Sequence, residues 1–255
     1  MVLSIDQWND KIEKVKIHHL YGIAEYKRDE HLRLVNKWFG DLNEMTLLKT
    51  DSYEEAIGKD HFLDILGKRA KITIGMDISK KIILKTKRRH GDAFFRVICS
   101  VKRLPFKRGS IDMIMSNSTL DHVSVNGVIK STEEFYYVLK NPGNLILTLD
   151  SKENLLYFLL CYIGKKMNIF PFSERCYTRK EMHKILTKYG FRINDDDAIV
   201  FIPPPLERFI LLFKMLNNKV VNKLIYQIIF YFSKMKNKPF KYFLGRFVCT
   251  NAIKD

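Results

Sequence analysis

Between residues 45 and 149 the chain alternates short apolar runs with stretches of helical periodicity, and this alternation restricts the fold more than any other feature. Residues 45–48, 70–77, 94–98, 111–115 and 144–149 read as strands. Helices are expected near 54–66, 80–89 and 128–139. Strands and helices alternating at this spacing build βαβ units and a parallel sheet covered on both faces. Further on, Thr178 and Glu181 form a capping box that opens a helix over 179–189, and Gly190 stops it. Residues 199–202 are expected to be a sixth strand and 247–253 a seventh. Residues 1–43 read as helical, with Trp8, Ile12, Val15 and His19, then Leu32, Val35, Trp38 and Phe39, near a 3.6-residue period.

The expected architecture is therefore α/β: a Rossmann-like, seven-stranded, mostly parallel sheet with helices on both faces and N-terminal helices before it. Three apolar helical stretches, 155–163, 206–216 and 219–235, form an additional cap, the last two inserted before the final strand. With no internal repeat and no low-complexity linker, residues 1–255 read as one domain. Its core is about 44–202 and 244–255, and its cap about 151–172 and 203–243.

Charge enters where the cap is considered. The chain carries 44 Lys and Arg against 28 Asp and Glu, a net charge of +16. Cations crowd the tail after Pro205, from Lys214 and Lys219 through Lys241 to Lys254, against Glu207 and Asp255 alone. Apolar runs such as 209–213 and 224–232 are interrupted by Asn217, Asn218, Lys219, Asn222, Lys223 and Gln227, which disfavours a membrane span. Two readings of the tail remain: a cap enclosing a lipophilic pocket, or a basic amphipathic surface over residues 206–243 lying on anionic membrane. Cys99, Cys161, Cys176 and Cys249 are scattered without a C-x-x-C pair, so reduced thiols and a cytoplasmic setting are expected, with no metal site. The first ten residues lack the pattern of a secretory signal.

In an open parallel sheet, ligands bind beyond the carboxyl ends of the strands where strand order reverses. Strand one leads into Lys49-Thr-Asp-Ser-Tyr-Glu-Glu-Ala56, strand two ends at Asp77, strand three precedes Ser100-Val-Lys-Arg-Leu-Pro-Phe106, and strand four precedes Ser116-Asn-Ser-Thr-Leu-Asp-His122. A carboxylate at the position of Asp77 accepts hydrogen bonds from both hydroxyls of a ribose. Asp51, Glu54 and Glu55 suit a positively charged ligand. They oppose a pyrophosphate, and with no Gly-x-Gly-x-x-Gly present, nicotinamide-dependent oxidoreduction is excluded.

The order of Ile74-Gly-Met-Asp-Ile-Ser79, Leu104-Pro-Phe106, Gly109-Ser-Ile-Asp112 and Val138-Leu-Lys-Asn-Pro-Gly143 resembles the class I S-adenosylmethionine-dependent methyltransferases over about residues 44–150. Where that family often has a glycine-rich loop, Thr50-Asp51 followed by Glu55-Ala56 fits a Thr-Asp-x-x-x-Glu-Ala variant. Ser100 stands where the family usually has an acid accepting from the adenine amine. The resemblance implies S-adenosylmethionine as cofactor, with Asp77 on its ribose, the Val101 amide on the adenine, and Ile78 and Leu104 against the ring. Asn117 would lie beside the methionine moiety, and Thr50, Asp51, Glu55 and Ser100 complete the expected cofactor site. His122 is the leading candidate for a base where the acceptor must lose a proton, although packing or capping of the following turn is the plainer account of it. Asp121, adjacent in sequence, would not point the same way. His18, His19, Tyr21 and Tyr26 read as packing residues that could alternatively line an acceptor pocket, and Lys87-Arg-Arg-His90 as a solvated helix terminus.

The implied activity is methyl transfer to a small, lipophilic acceptor. A non-catalytic scaffold or partner protein is the alternative, prompted by the altered loop. A nucleic-acid methyltransferase is disfavoured because Ser116-Asn-Ser-Thr119 replaces the Asn-Pro-Pro-aromatic motif of base methylases.

Overall fold

The computed structural model describes residues 23–58, 61–167, 175–215 and 218–255. Trp8, Ile12, Val15, His18, His19 and Tyr21 therefore lie outside the described residues. Helix α1 is Ala24–Trp38, followed by β1 Thr46–Lys49, α2 Tyr53–Ile57, α3 Phe62–Gly67, β2 Ile72–Asp77, α4 Lys80–His90 and β3 Phe95–Ile98. Next come β4 Ile111–Asn117, a 3-10 turn at Leu120–His122, α5 Val125–Val138, β5 Leu139–Asp150 and α6 Leu155–Lys166. The chain continues through α7 Arg179–Lys188, β6 Phe191–Ile199, α8 Pro204–Met215, α9 Lys219–Ser233, the short α10 Lys241–Leu244 and β7 Phe247–Lys254.

The seven strands form one sheet in the order β3-β2-β1-β4-β5-β7-β6. The first five are parallel, and β7 runs antiparallel between β5 and β6. Order reverses between β1 and β4, so their carboxyl ends flank the crevice at which this topology binds ligands.

Alternation along the central strands feeds both faces. Leu48, Ile114, Leu145 and Leu147 join a core with Phe135 of α5 and Met182 and Leu186 of α7. Leu47, Met113, Met115 and Ile146 join the opposite core with Val35 of α1 and Phe62 and Leu66 of α3. Adjacent residues thus serve opposite layers, as a sheet buried on both sides requires. The expected capping box at Thr178 forms in full, and Gly190 turns the chain into β6 at φ +92.

Two expectations are corrected. The helix expected over 54–66 is two helices, α2 and α3, interrupted after Ile57. The sixth strand is Phe191–Ile199, not 199–202. Val200 takes a left-handed φ of +59, and Val200 and Ile202 leave the sheet to pack with Leu34, Ile210 and Ile225. The true strand carries Asp195, Asp196 and Asp197, residues depleted in strands. It tolerates them because the α1 face and α10 supply donors: Trp38 Nε1 reaches Asp195 at 2.8 Å, and Arg33, Lys37 and Lys241 reach Asp197 at 2.9, 3.0 and 2.7 Å. These cations hold the Asp197 carboxyl well below the usual range despite burial.

The three apolar helices leave from one side of the sheet. α6 follows the carboxyl end of β5. α8 follows the carboxyl end of β6, and the chain re-enters at the amino end of antiparallel β7, which lies at that same edge.

Candidate cofactor site

Lys49 closes β1 and is 1% exposed. A cation there needs partners, and the following turn provides them: its Nζ donates to Asp51 O at 2.8 Å and to Glu55 Oε2 at 3.1 Å, with Asp51 Oδ2 at 3.3 Å. Glu55 is turned inward onto this ammonium with its side chain at 0% exposure. Burial pushes its carboxyl up, and Lys49 opposes the shift. The neighbouring Glu54 is likewise committed, to Lys27 of α1 at 2.6 Å. Two of the acids expected to face a cationic ligand therefore face cations of the chain itself. A lysine ending a fully buried strand, with acids two and six residues later, was the signal for this cluster.

Asp51 and Asp77 adjoin. The Ser52 amide donates to Asp77 Oδ2 at 3.2 Å, and the Ser79 amide to Oδ1 at 2.8 Å. Burial pushes the Asp77 carboxyl up to about 6, against the pull of these amides. The Cys99 amide donates to Asp77 O at 3.1 Å, which sets Ser100 and Val101 immediately beside the end of β2. Ser100 Oγ accepts from the Lys102 amide. Ile78 is exposed at 38%, whereas Val101 and Leu104 are buried in the core with Met76 and Leu120. The Leu104 side chain thus belongs to the core rather than to an open ring-binding surface. Burial and Asp77 together push the Cys99 thiol up to about 12, which keeps it protonated.

Across the crevice, Thr50 Oγ1 lies 2.7 Å from Thr119 Oγ1, and Thr119 donates to Asp51 Oδ2 at 3.3 Å. These contacts tie the loop after β1 to the loop after β4. Asn117 ends β4, and its buried Oδ1 has no hydrogen-bond partner among the described residues. His122 sits in the turn after β4. Burial pushes its imidazole below the usual range, opposed by Asp150 and Asp51. Asp121 turns toward β5, where it accepts from the Asp150 amide at 3.3 Å. Tyr26 packs inside the α1 core and reaches the Phe201 amide, so it is a packing residue.

Beside the end of β5 lies a second buried polar cluster. Asp150 accepts from Tyr157 Oη of α6 at 2.8 Å. Arg246 donates to Glu207 of α8 at 2.9 Å, and its guanidinium lies over the Tyr157 ring at 4.8 Å. This cluster anchors two cap helices to the carboxyl edge of the sheet.

Thr50, Asp51, Asp77, Ile78, Ser100, Val101, Asn117 and His122 therefore share one edge, with Glu55 behind it. Residues 54–147 match the family model described as a methyltransferase domain. An uncharacterized protein of Methanocaldococcus jannaschii is 26% identical over 186 residues, covering 72% of this chain and 70% of that one. Among solved structures, a chain of the complex between the Haloferax volcanii Trm112 methyltransferase activator and a methyltransferase aligns with TM-score 0.65 and 12% identity. That alignment covers 98% and 97% of the two chains. The magnesium protoporphyrin IX methyltransferase of Synechocystis, solved with S-adenosylhomocysteine, aligns with TM-score 0.58 and 14% identity over 98% and 93%. Residues 54–147 thus match a methyltransferase-domain model, and the whole chain shares the fold of the aligned methyltransferase structures.

Proposed function

We propose that the protein transfers a methyl group from S-adenosylmethionine to a small, lipophilic acceptor. The observation that carries this reading is the common origin of the cap. α6 and α8 leave the sheet at the edge that holds Asp51, Asp77, Asn117 and His122, and α9 follows α8 before the chain returns to that edge. They bring Leu156, Leu159, Phe209, Leu212, Leu224 and Phe230, each at least half exposed. Apolar walls around a few polar groups are what a binding site for an apolar molecule needs.

In this reading Asp77 accepts from the ribose hydroxyls and the Val101 amide serves the adenine, with Ile78 against the ring and Ser100 beside it. Thr50 and Asp51 line the methionine end, and Asn117 offers its unsatisfied carbonyl oxygen to the ammonium. Glu55 acts indirectly, by holding Lys49 and the shape of the loop. The bound cofactor supplies an electrophilic methyl group. The chain's task is alignment and exclusion of water, which provide much of the rate in such a displacement. His122, kept neutral by burial, takes a proton where the acceptor carries one. Calorimetry with S-adenosylhomocysteine tests the core of the proposal: saturable 1:1 binding is expected below about 1 mM. A wild-type protein that binds none would overturn it.

The cap also fits a membrane surface. No helix among the described residues is long and apolar enough to cross a bilayer. α9, however, exposes Val220, Leu224, Phe230 and Tyr231 alongside Lys219 and Lys223. An apolar face edged by lysines suits the interface of an anionic bilayer, from which a lipophilic acceptor would be drawn. Cosedimentation is expected with phosphatidylserine-containing vesicles and not with phosphatidylcholine alone. Reversing Lys219 and Lys223 to Glu should weaken it at least tenfold, roughly 1 kcal/mol per lysine. Equal binding by wild type and double variant would remove the membrane from the proposal.

A further inference from the structure

His90 ends the basic run of α4, where a solvated terminus was expected, yet its side chain is 1% exposed. Its Nε2 lies 2.8 Å from Glu55 O, and a carbonyl oxygen only accepts, so Nε2 carries the proton. In the neutral ring Nδ1 is then a lone pair, and it faces Asp64 Oδ2 at 2.6 Å. His61 Nδ1 approaches the same oxygen at 3.3 Å, and the two imidazoles are 5.2 Å apart, centre to centre. All three ligand atoms fall within 4.8 Å of one another. Asp64 Oδ1 is buried with no hydrogen-bond partner among the described residues. Three electron-rich atoms thus converge on one point, and the ring that is most buried is oriented by a backbone carbonyl. Carbonyl-fixed histidines of this kind are the usual outer support of a metal ligand.

We infer that His61, Asp64 and His90 bind a divalent transition-metal ion of the zinc class. Two imidazoles and one carboxylate suit such an ion, and they leave a fourth tetrahedral position for water. Ligands about 2.0–2.1 Å from the metal stand roughly 3.3 Å apart in a tetrahedron. The His61–Asp64 spacing already has this value, and the His90–Asp64 contact opens by about 0.7 Å to reach it. The ion would clamp the start of α3 to the end of α4. Through the His90–Glu55 bond it would also brace the segment whose carboxylate holds Lys49. The site is separate from the cofactor crevice and requires no methyl transfer.

The test uses the full chain with Zn²⁺ and with Co²⁺ as a spectroscopic probe. One equivalent of metal should bind at neutral pH and raise the melting temperature, and bound Co²⁺ should show the intense visible bands of a tetrahedral site. His61→Ala removes a side chain that is 48% exposed and leaves the core intact. It should weaken metal binding at least tenfold, as should the isosteric Asp64→Asn. Metal uptake unchanged in both variants, or a wild type whose melting temperature responds to neither Zn²⁺ nor chelator, would overturn the inference. In that event the His90–Asp64 contact would serve only to link α3 to α4.

Discussion

Replacing Asp77 with Asn is expected to weaken S-adenosylhomocysteine binding about 100-fold or more while making the ligand-free protein more stable at pH 7. The two effects share one cause. Burial raises the folded-state carboxyl to about 6 from an ordinary 3.8. An acid whose folded value is raised contributes stability that is complete below its unfolded value and is lost as pH rises through its folded value. The window is therefore about pH 4 to 6, and at neutral pH the ionised group costs roughly 3 kcal/mol. Asparagine removes that cost but keeps only one acceptor for the Ser52 and Ser79 amides. A net gain of about 1–2 kcal/mol remains. Binding of the ribose needs the ionised form, so the wild-type dissociation constant should rise up to tenfold per pH unit below about 6. Titration calorimetry across pH 5–8 and thermal melts of both proteins measure this. A variant that binds normally, or that is less stable than wild type at pH 7, would show that Asp77 is not an ionised ribose acceptor.

Lys49→Met should be the most destabilising single change at the site. It strands the Glu55 carboxylate in a place with no solvent exposure. Removing one partner of a buried pair typically costs about 3–5 kcal/mol, which in a chain of this size lowers the melting temperature by roughly 8–15 °C. The double variant Lys49→Met/Glu55→Gln should recover most of that loss, because neither charge is then left alone. Chemical denaturation of the four proteins closes the cycle. A coupling below about 0.5 kcal/mol would mean that the ammonium and carboxylate do not meet in the folded state.

The parts of the fold that the sequence displayed are those in which local pattern and tertiary role agree. Leu47-Leu48, Ile111–Met115 and Leu145–Leu149 are apolar because both faces of the sheet are covered, and they were legible for that reason. β6 was not. Three consecutive aspartates do not look like a strand until Arg33, Lys37, Trp38 and Lys241 reach Asp195 and Asp197, and His183 and Thr250 reach Asp196. The site divides in the same way. Its proposed position follows from strand ends and topology: Asp51 follows β1, Asp77 ends β2 and Asn117 ends β4, all at the carboxyl edge. What a one-dimensional reading missed is occupancy: Glu55 and Glu54 are already matched by Lys49 and Lys27, and the second cation lies 27 residues away from its acid. His90 was missed likewise, because its burial depends on α3, which no local pattern at residue 90 reveals.

The strand between β5 and β6 is later in the chain than either of them, and this orders assembly in time. While β7 is still being synthesised, β5 and β6 each present a bare edge, and β5 is the more apolar of the two. Such edges attract other chains. The final strand is a wedge that unites two separately waiting pieces, and its eight residues bond on both sides along their length. A nascent protein halted before residue 247 would hold every residue from Thr50 to His122 and still have a sheet in two parts. For this domain, synthesis of residues 247–254 and closure of the sheet are nearly the same event.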